Sequence, residues 1–193
     1  MPVKFSAAIN PVLSLSLNRI LRAASPAALL GTLLTLSACS PTFNWREARP
    51  EGTRLALLLP CKPDKAQKIV PLGGQNTTLA MLGCDAGGAT FAVAVADIGD
   101  ASRTAEVLGQ WQRLSLAAMK AGTPVARPLK LPGASGPVSV VSAEGRDAKD
   151  APVRLSAAYF AQGTQVFQIV LMGGTPAPPA DAAETFFSSL KLE

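Results

Sequence analysis

The chain has 193 residues, with 18 Lys and Arg against 13 Asp and Glu, no histidine and 5% aromatic residues, a size that suits one domain with a full core. Lys4, Arg19 and Arg22 are the only charged residues before Cys39, so the chain from Cys39 onward carries 15 bases against 13 acids, a net charge of +2. A single tyrosine among scattered lysines and arginines supplies neither the basic stripe nor the stacking motif of a nucleic-acid binder, and that class is excluded.

The first element is an apolar run, Ala27-Ala28-Leu29-Leu30-Gly31-Thr32-Leu33-Leu34-Thr35-Leu36, preceded by bases and followed by small residues, the pattern of a secretory signal. It is about half as long as the roughly 20 residues a spanning helix needs. The basic region ahead of it is long for a signal, as a translation start downstream of Met1 would explain. Leu36-Ser37-Ala38-Cys39, which closes the run, resembles the lipobox of bacterial lipoproteins. That resemblance implies cleavage before Cys39, a diacylglyceryl thioether on its sulfur and an acylated new amino terminus. Two or three acyl chains anchor stably, because each buried CH₂ contributes about 0.8 kcal/mol and one chain alone is marginal. The plainer alternative is an ordinary signal cleaved near Ala38, which would leave Cys39 as an exposed free thiol, a liability in an oxidising compartment. The expected organisation is a signal peptide over 1–38, a lipidated tether over 39–53 and one domain over 54–193. Ser40 rather than an aspartate after Cys39 resembles outer-membrane sorting in enteric bacteria. The expected location is the periplasmic face of a bacterial membrane, the outer one favoured.

Within the tether, Phe43 and Trp45 break the Gly/Ser/Pro composition of a pure spacer. They are expected to dock back on the domain, with the lipid headgroup layer as the alternative. Residues 54–59, Arg-Leu-Ala-Leu-Leu-Leu bounded by Pro60, read as a buried strand, and 61–68 as a polar loop. Lys62, Lys65 and Lys68 in that loop are read as a solvated edge rather than an anion contact. With Cys39 assigned to lipid, Cys61 and Cys84 remain. In an oxidising compartment they most simply form a structural disulfide, with a metal site or a resolving thiol pair as alternatives. The spacing is not a CxxC motif, and without histidine or a third nearby thiol a zinc site lacks ligands.

Strands are expected over 77–84 and 90–97, joined by Asp85-Ala86-Gly87-Gly88, whose glycines permit the positive φ of tight hairpins. In the second, Phe91, Val93 and Val95 alternate with Ala92, Ala94 and Ala96. This predicts one bulky face and one small face, the small one covered by a helix. Asp100 or Ser102 offers an N-cap for a helix to about Ala121, with Gly122 as its stop. Val107, Trp111, Leu114 and Ala118, with Leu108 and Met119, form its apolar stripe. Further strands are expected over 138–143, 153–160 and 165–172, the last two as a hairpin around Gln162-Gly163-Thr164. After Gly173-Gly174 and the proline-rich stretch 176–179, a closing helix over 182–190 carries Phe186, Phe187 and Leu190. The order predicts an α+β domain, an antiparallel β-sheet packed by one long central helix and a short C-terminal helix.

The motifs Phe43-Asn44-Trp45-Arg46-Glu47, Leu59-Pro60-Cys61-Lys62-Pro63-Asp64, Met81-Leu82-Gly83-Cys84 and Phe186-Phe187-Ser188-Ser189-Leu190 resemble those of uncharacterised proteobacterial lipoproteins. The element order resembles the PsbP-like fold, whose final helix often ends in a similar Phe-Phe-x-Ser-Leu. These motifs are structural and carry no catalytic residue across, and the manganese-cluster role of photosynthetic PsbP proteins finds no ligand cluster here. A serine nucleophile needs a base, and no GxSxG, Walker, GxGxxG or His-based zinc motif occurs. The carboxylate pairs Asp97/Asp100 and Asp147/Asp150 sit at expected turns, whereas glycoside chemistry needs a desolvated acid in a cleft. The expectation is a non-catalytic module without cofactor or metal, held to the membrane through lipid on Cys39 and contacting an envelope protein. The competing expectation is a small-molecule or lipid-binding protein, with an apolar pocket between sheet and long helix lined by Phe91, Val93, Trp111 and Phe167.

Overall fold

The computed structural model describes residues 42–174 and 177–193. The signal segment, the lipobox Leu36, Ser37 and Ala38, the lipidation residue Cys39, and residues 175 and 176, the second of them the start of the proline-rich stretch, lie outside them. The described residues form one compact unit, an α+β domain, mostly antiparallel sheet with two helices. Residues 42–53, expected as tether, therefore belong to the domain.

A seven-stranded antiparallel sheet runs in the order β3 (Asp64–Leu72), β4 (Gln75–Ala86), β5 (Ala89–Asp97), β9 (Gln165–Gly173), β8 (Pro152–Gln162), β7 (Val138–Arg146) and β6 (Val125–Leu129). A three-stranded sheet of β1 (Arg46–Ala48), β2 (Leu55–Leu59) and β10 (Lys191–Leu192) has β2 at its centre. The helices are α1 (Thr104–Ala118) and α2 (Ala180–Ser188).

The alternation in β5 sorts the core. Phe91, Val93 and Val95 share one cluster with Leu55, Leu57 and Leu59 of β2 and with Phe186 and Phe187 of α2. Ala96 faces the other way and joins Val107 of α1, Ala161 and Val166. Small side chains there let a helix approach the sheet closely, while the bulky face fills the wider gap to the second layer.

The polar run 61–68 is not wholly a loop: from Asp64 it enters β3, which pairs residue by residue with β4 from Asp64↔Gly83 to Leu72↔Gln75. β3 is an edge strand, exposed from Asp64 to Ile69. Its register is supplied by backbone hydrogen bonds to β4, so it needs no apolar alternation of its own. Lys65 and Lys68 lie on this solvated edge. β6 escapes sequence reading for the same reason: it is the opposite edge, mostly exposed, with Val125 71% accessible.

The helical expectation 100–121 resolves into a 3₁₀ turn, Ala101–Arg103, followed by α1. Asp100 does cap the turn, its Oδ1 accepting from the Ser102 N–H at 2.9 Å. The Ser102 hydroxyl, then its backbone N–H, holds the Asp100 carboxyl below its ordinary value. The apolar stripe turns out differently. Leu114 is 55% exposed and Ala118 is exposed, while Ser115 takes the inward position. Gln168 on β9 explains the exchange, because its Nε2 donates to Ser115 Oγ at 3.1 Å and to Tyr159 Oη at 3.0 Å. A half-buried amide on the sheet requires a polar partner overhead, which Leu114 cannot supply. At the helix exit, Gly145 sits where an added Cβ would lie 2.4 Å from the Met119 carbonyl oxygen. That close approach lets the Arg146 N–H donate to the same oxygen at 2.7 Å.

α2 starts two residues earlier than expected, directly after Pro179. Its exit is tied to β2, where Ser189 Oγ accepts from the Leu58 N–H at 2.9 Å and donates to the Phe186 carbonyl at 2.7 Å. The terminus is clasped by Arg49, whose guanidinium meets Glu193 Oε2 at 2.5 Å and Oε1 at 2.9 Å. That contact lowers the Glu193 carboxyl pKa. A carboxyl depressed on folding contributes stability above its unfolded pKa and loses it as pH falls through the folded one. Acidification below the ordinary glutamate range should therefore reduce the exchange protection of the Glu193 amide, which donates to the Arg54 carbonyl, before it affects β5 or β9. Protection that fell equally in all three would refute a local clasp.

Candidate functional site

Four of the residues singled out in the sequence, Phe43, Trp45, Cys61 and Cys84, gather at one end of the large sheet. The Asn44 N–H donates to the Pro60 carbonyl at 2.7 Å, and β1 then pairs with β2. These bonds draw Phe43 and Trp45 onto the domain. Their rings stack with centroids 5.9 Å apart, and both meet the edge of Phe91, at 6.2 Å and 6.0 Å. Such pairs contribute about 0.5–1.5 kcal/mol each beyond their buried area. Beside them, Cys61 at the exit of β2 is bonded to Cys84 in β4, with the Cα atoms 6.0 Å apart. The bridge ties the small sheet to the large one.

Phe43 rests on the β4–β5 turn. At Gly87, with φ +59, an added Cβ would lie 2.5 Å from Phe43 Cζ. Gly87→Ala should thus cost twice, through left-handed backbone strain of about 1–2 kcal/mol and through displacement of the ring. Urea unfolding should show this loss, whereas Gly88→Ala, where a Cβ meets nothing within 4 Å, should carry only the backbone cost. Equal losses would remove Phe43 from the account.

The apolar cleft expected between sheet and long helix does not assemble among the described residues. Phe91, Val93 and Phe167 are fully buried in the cluster facing β2 and α2, while Trp111 packs on the opposite face against Tyr159, at 6.4 Å. Phe91, Val93 and Phe167 share one face of the sheet, and α1, which carries Trp111, covers the other, so no single pocket holds all four.

The carboxylate pairs hold turns. Asp97 Oδ1 accepts from the Gly99 N–H at 2.8 Å, and Asp147 Oδ1 from the N–H groups of Lys149 and Ala151, each at 2.8 Å. Asp150, at φ 63, pairs with Arg146 and Lys120 at 3.5 and 3.7 Å. No group of three or more His, Cys, Asp or Glu side chains able to hold a metal occurs among the described residues, and no described helix is long and apolar enough to cross a membrane.

Sequence reasoning missed an open groove of about 580 Å³ between the ends of β7–β9 and α2. Ser142, Ser156, Leu171 and Ala183 line it, with the Glu144–Arg154 ion pair at its rim. Ser142 Oγ and Ser156 Oγ lie 2.8 Å apart. The available signal was those two serines on a face otherwise occupied by Val138, Val140 and Ala158. The arrangement offers a hydroxyl pair on the floor of the groove.

No protein-family model matches the chain, and no curated protein does. Among solved structures, a similar chain is PA94 from Pseudomonas aeruginosa, a protein of unknown function. Its identity is 11% and its TM-score 0.31, over 73% of this chain and 88% of that one.

Proposed function

We propose that this is a lipid-anchored, non-catalytic module on the periplasmic face of a bacterial membrane, the outer one favoured, acting by contact with an envelope protein or complex. The observation that carries the reading is Leu36-Ser37-Ala38-Cys39, a lipobox-like sequence at the end of a short apolar run. The Cys61–Cys84 disulfide supports an oxidising compartment. The resemblance to uncharacterised proteobacterial lipoproteins and to the PsbP-like arrangement belongs to the same reading. It is supported by a sheet with α1 on one face and α2 with the small sheet on the other.

Crosslinking in intact cells with a tagged full-length chain, followed by mass spectrometry, tests it. The expected result is one reproducible envelope protein that is lost when Cys39→Ala removes the anchor. Recovery of the uncrosslinked monomer alone would overturn the partner. A bound metabolite in native mass spectra of the purified domain would instead favour a ligand-binding protein, with the Ser142/Ser156 groove as its site.

A further inference from the structure

We infer that the end of the large sheet carrying the β4–β5 turn is apposed to the lipid headgroups, and that the C-terminal Glu193 end points away from them; this rests on the lipid anchor proposed above. The argument is one of reach. Only Ser40 and Pro41 lie between Cys39 and Thr42, the first residue of the described domain, and the three chain steps from Cys39 to Thr42 span at most roughly 11 Å. The attachment point is therefore held close to the bilayer. It is also fixed on the domain, because the next residue, Phe43, rests on Gly87 in the β4–β5 turn and Asn44 is bonded to Pro60. A tether of 15 residues, as the sequence alone suggests, would leave orientation free. One of three residues leaving a docked aromatic does not.

The strands then decide what lies at each end. The β4–β5 turn shares its end with Gly173 of β9, Arg154 of β8 and, through β7, Arg146, as the pairings Ala89↔Gly173, Arg154↔Gly173 and Arg146↔Pro152 require. The opposite end holds the β8–β9 turn, where Gln165 Nε2 donates to the Gly52 carbonyl, and beside it Arg54, which accepts from the Glu193 N–H. Several cations at the anchored end are paired, Arg154 with Glu144, and Lys120 and Arg146 with Asp150, while the exposed Lys62 sits beside Cys84 and Asp85 near the β4–β5 turn. Apposition comes from the short covalent reach, to which one juxtamembrane lysine adds about 1 kcal/mol on anionic lipid. The surface left for a partner is the β8–β9 turn, the C-terminal clasp and the two sheet edges.

The test uses the mature full-length protein in nanodiscs, as two single-tryptophan variants, Trp111→Phe and Trp45→Phe, with lipids brominated near the headgroup end of the acyl chains. Intact mass first establishes whether Cys39 carries lipid. With lipid present, Trp45 emission should be quenched and Trp111 emission retained. A flexible Gly/Ser insert of about 12 residues between Pro41 and Thr42, adding roughly 20 Å of reach, should abolish the difference. Equal emission from both tryptophans in the lipidated, uninserted protein would overturn the orientation while leaving the anchor intact. An unmodified Cys39 would overturn the anchor and the orientation with it.

Discussion

Phe91→Ala should lower the unfolding free energy by about 3–5 kcal/mol, the range for removing a fully buried aromatic ring. Phe91 has no exposed surface. Its ring meets Phe186 edge-on at 5.2 Å, with Phe43 and Trp45 within 6.2 Å on the other side. It thereby joins β5, the C-terminal helix and the incoming N-terminal segment. The cavity left by truncation would be walled by rings held on two other elements, the N-terminal segment and α2, so collapse can relieve only part of it. Urea unfolding should show a lower midpoint at unchanged slope, and Trp45 emission should shift to the red in the folded baseline because its packing partner is gone. Ile169→Val, a single methylene at another fully buried position, should cost only about 0.5–1.5 kcal/mol. A Phe91→Ala loss no larger than that would mean the aromatic cluster does not hold the three elements together.

Cys61→Ser/Cys84→Ser should cost about 3 kcal/mol, since the bridge closes a loop of sequence separation 23 and the chain-entropy model assigns roughly that amount to such a loop. For a domain of this size, the loss corresponds to a fall in Tm of roughly 6–12 °C. The native fold should persist, because β2 is held between β1 and β10 and β4 between β3 and β5 without the bridge. Its loss should release the corner around Phe43 more than the far end. Hydrogen exchange should therefore quicken at Asn44 and Leu59 before β8 and β9. Two titratable thiols at positions 61 and 84 in the denatured, unreduced wild-type chain would contradict the bridge itself.

The sequence made the interior strands and helices legible where one face is buried. The Phe/Val against Ala alternation of β5, the Gly87-Gly88 turn, the Asp100 cap and the Phe186-Phe187 pair each have a local signature, and each occurs close to the expected place. The edges were not legible. β3 and β6 are mostly exposed, and their conformation follows from partners already in the sheet. β1 and β10 are too short to show a period, and each exists only against β2. Leu114 was misplaced because a helix's apolar period does not reveal what the sheet presents beneath it, here Gln168.

By itself, the sequence determined the α+β class, the Cys61/Cys84 pairing as the simplest use of two remaining cysteines, and the lipobox resemblance, since all three depend on local composition and spacing. Only the tertiary structure decided that residues 42–53 belong to the domain, that Phe91 and Trp111 lie on opposite faces, and that Ser142 and Ser156 form the floor of a groove. Those outcomes depend on strand order and register. They bring together residues more than a hundred positions apart, as Gly52 and Gln165 are, and no local period encodes such contacts.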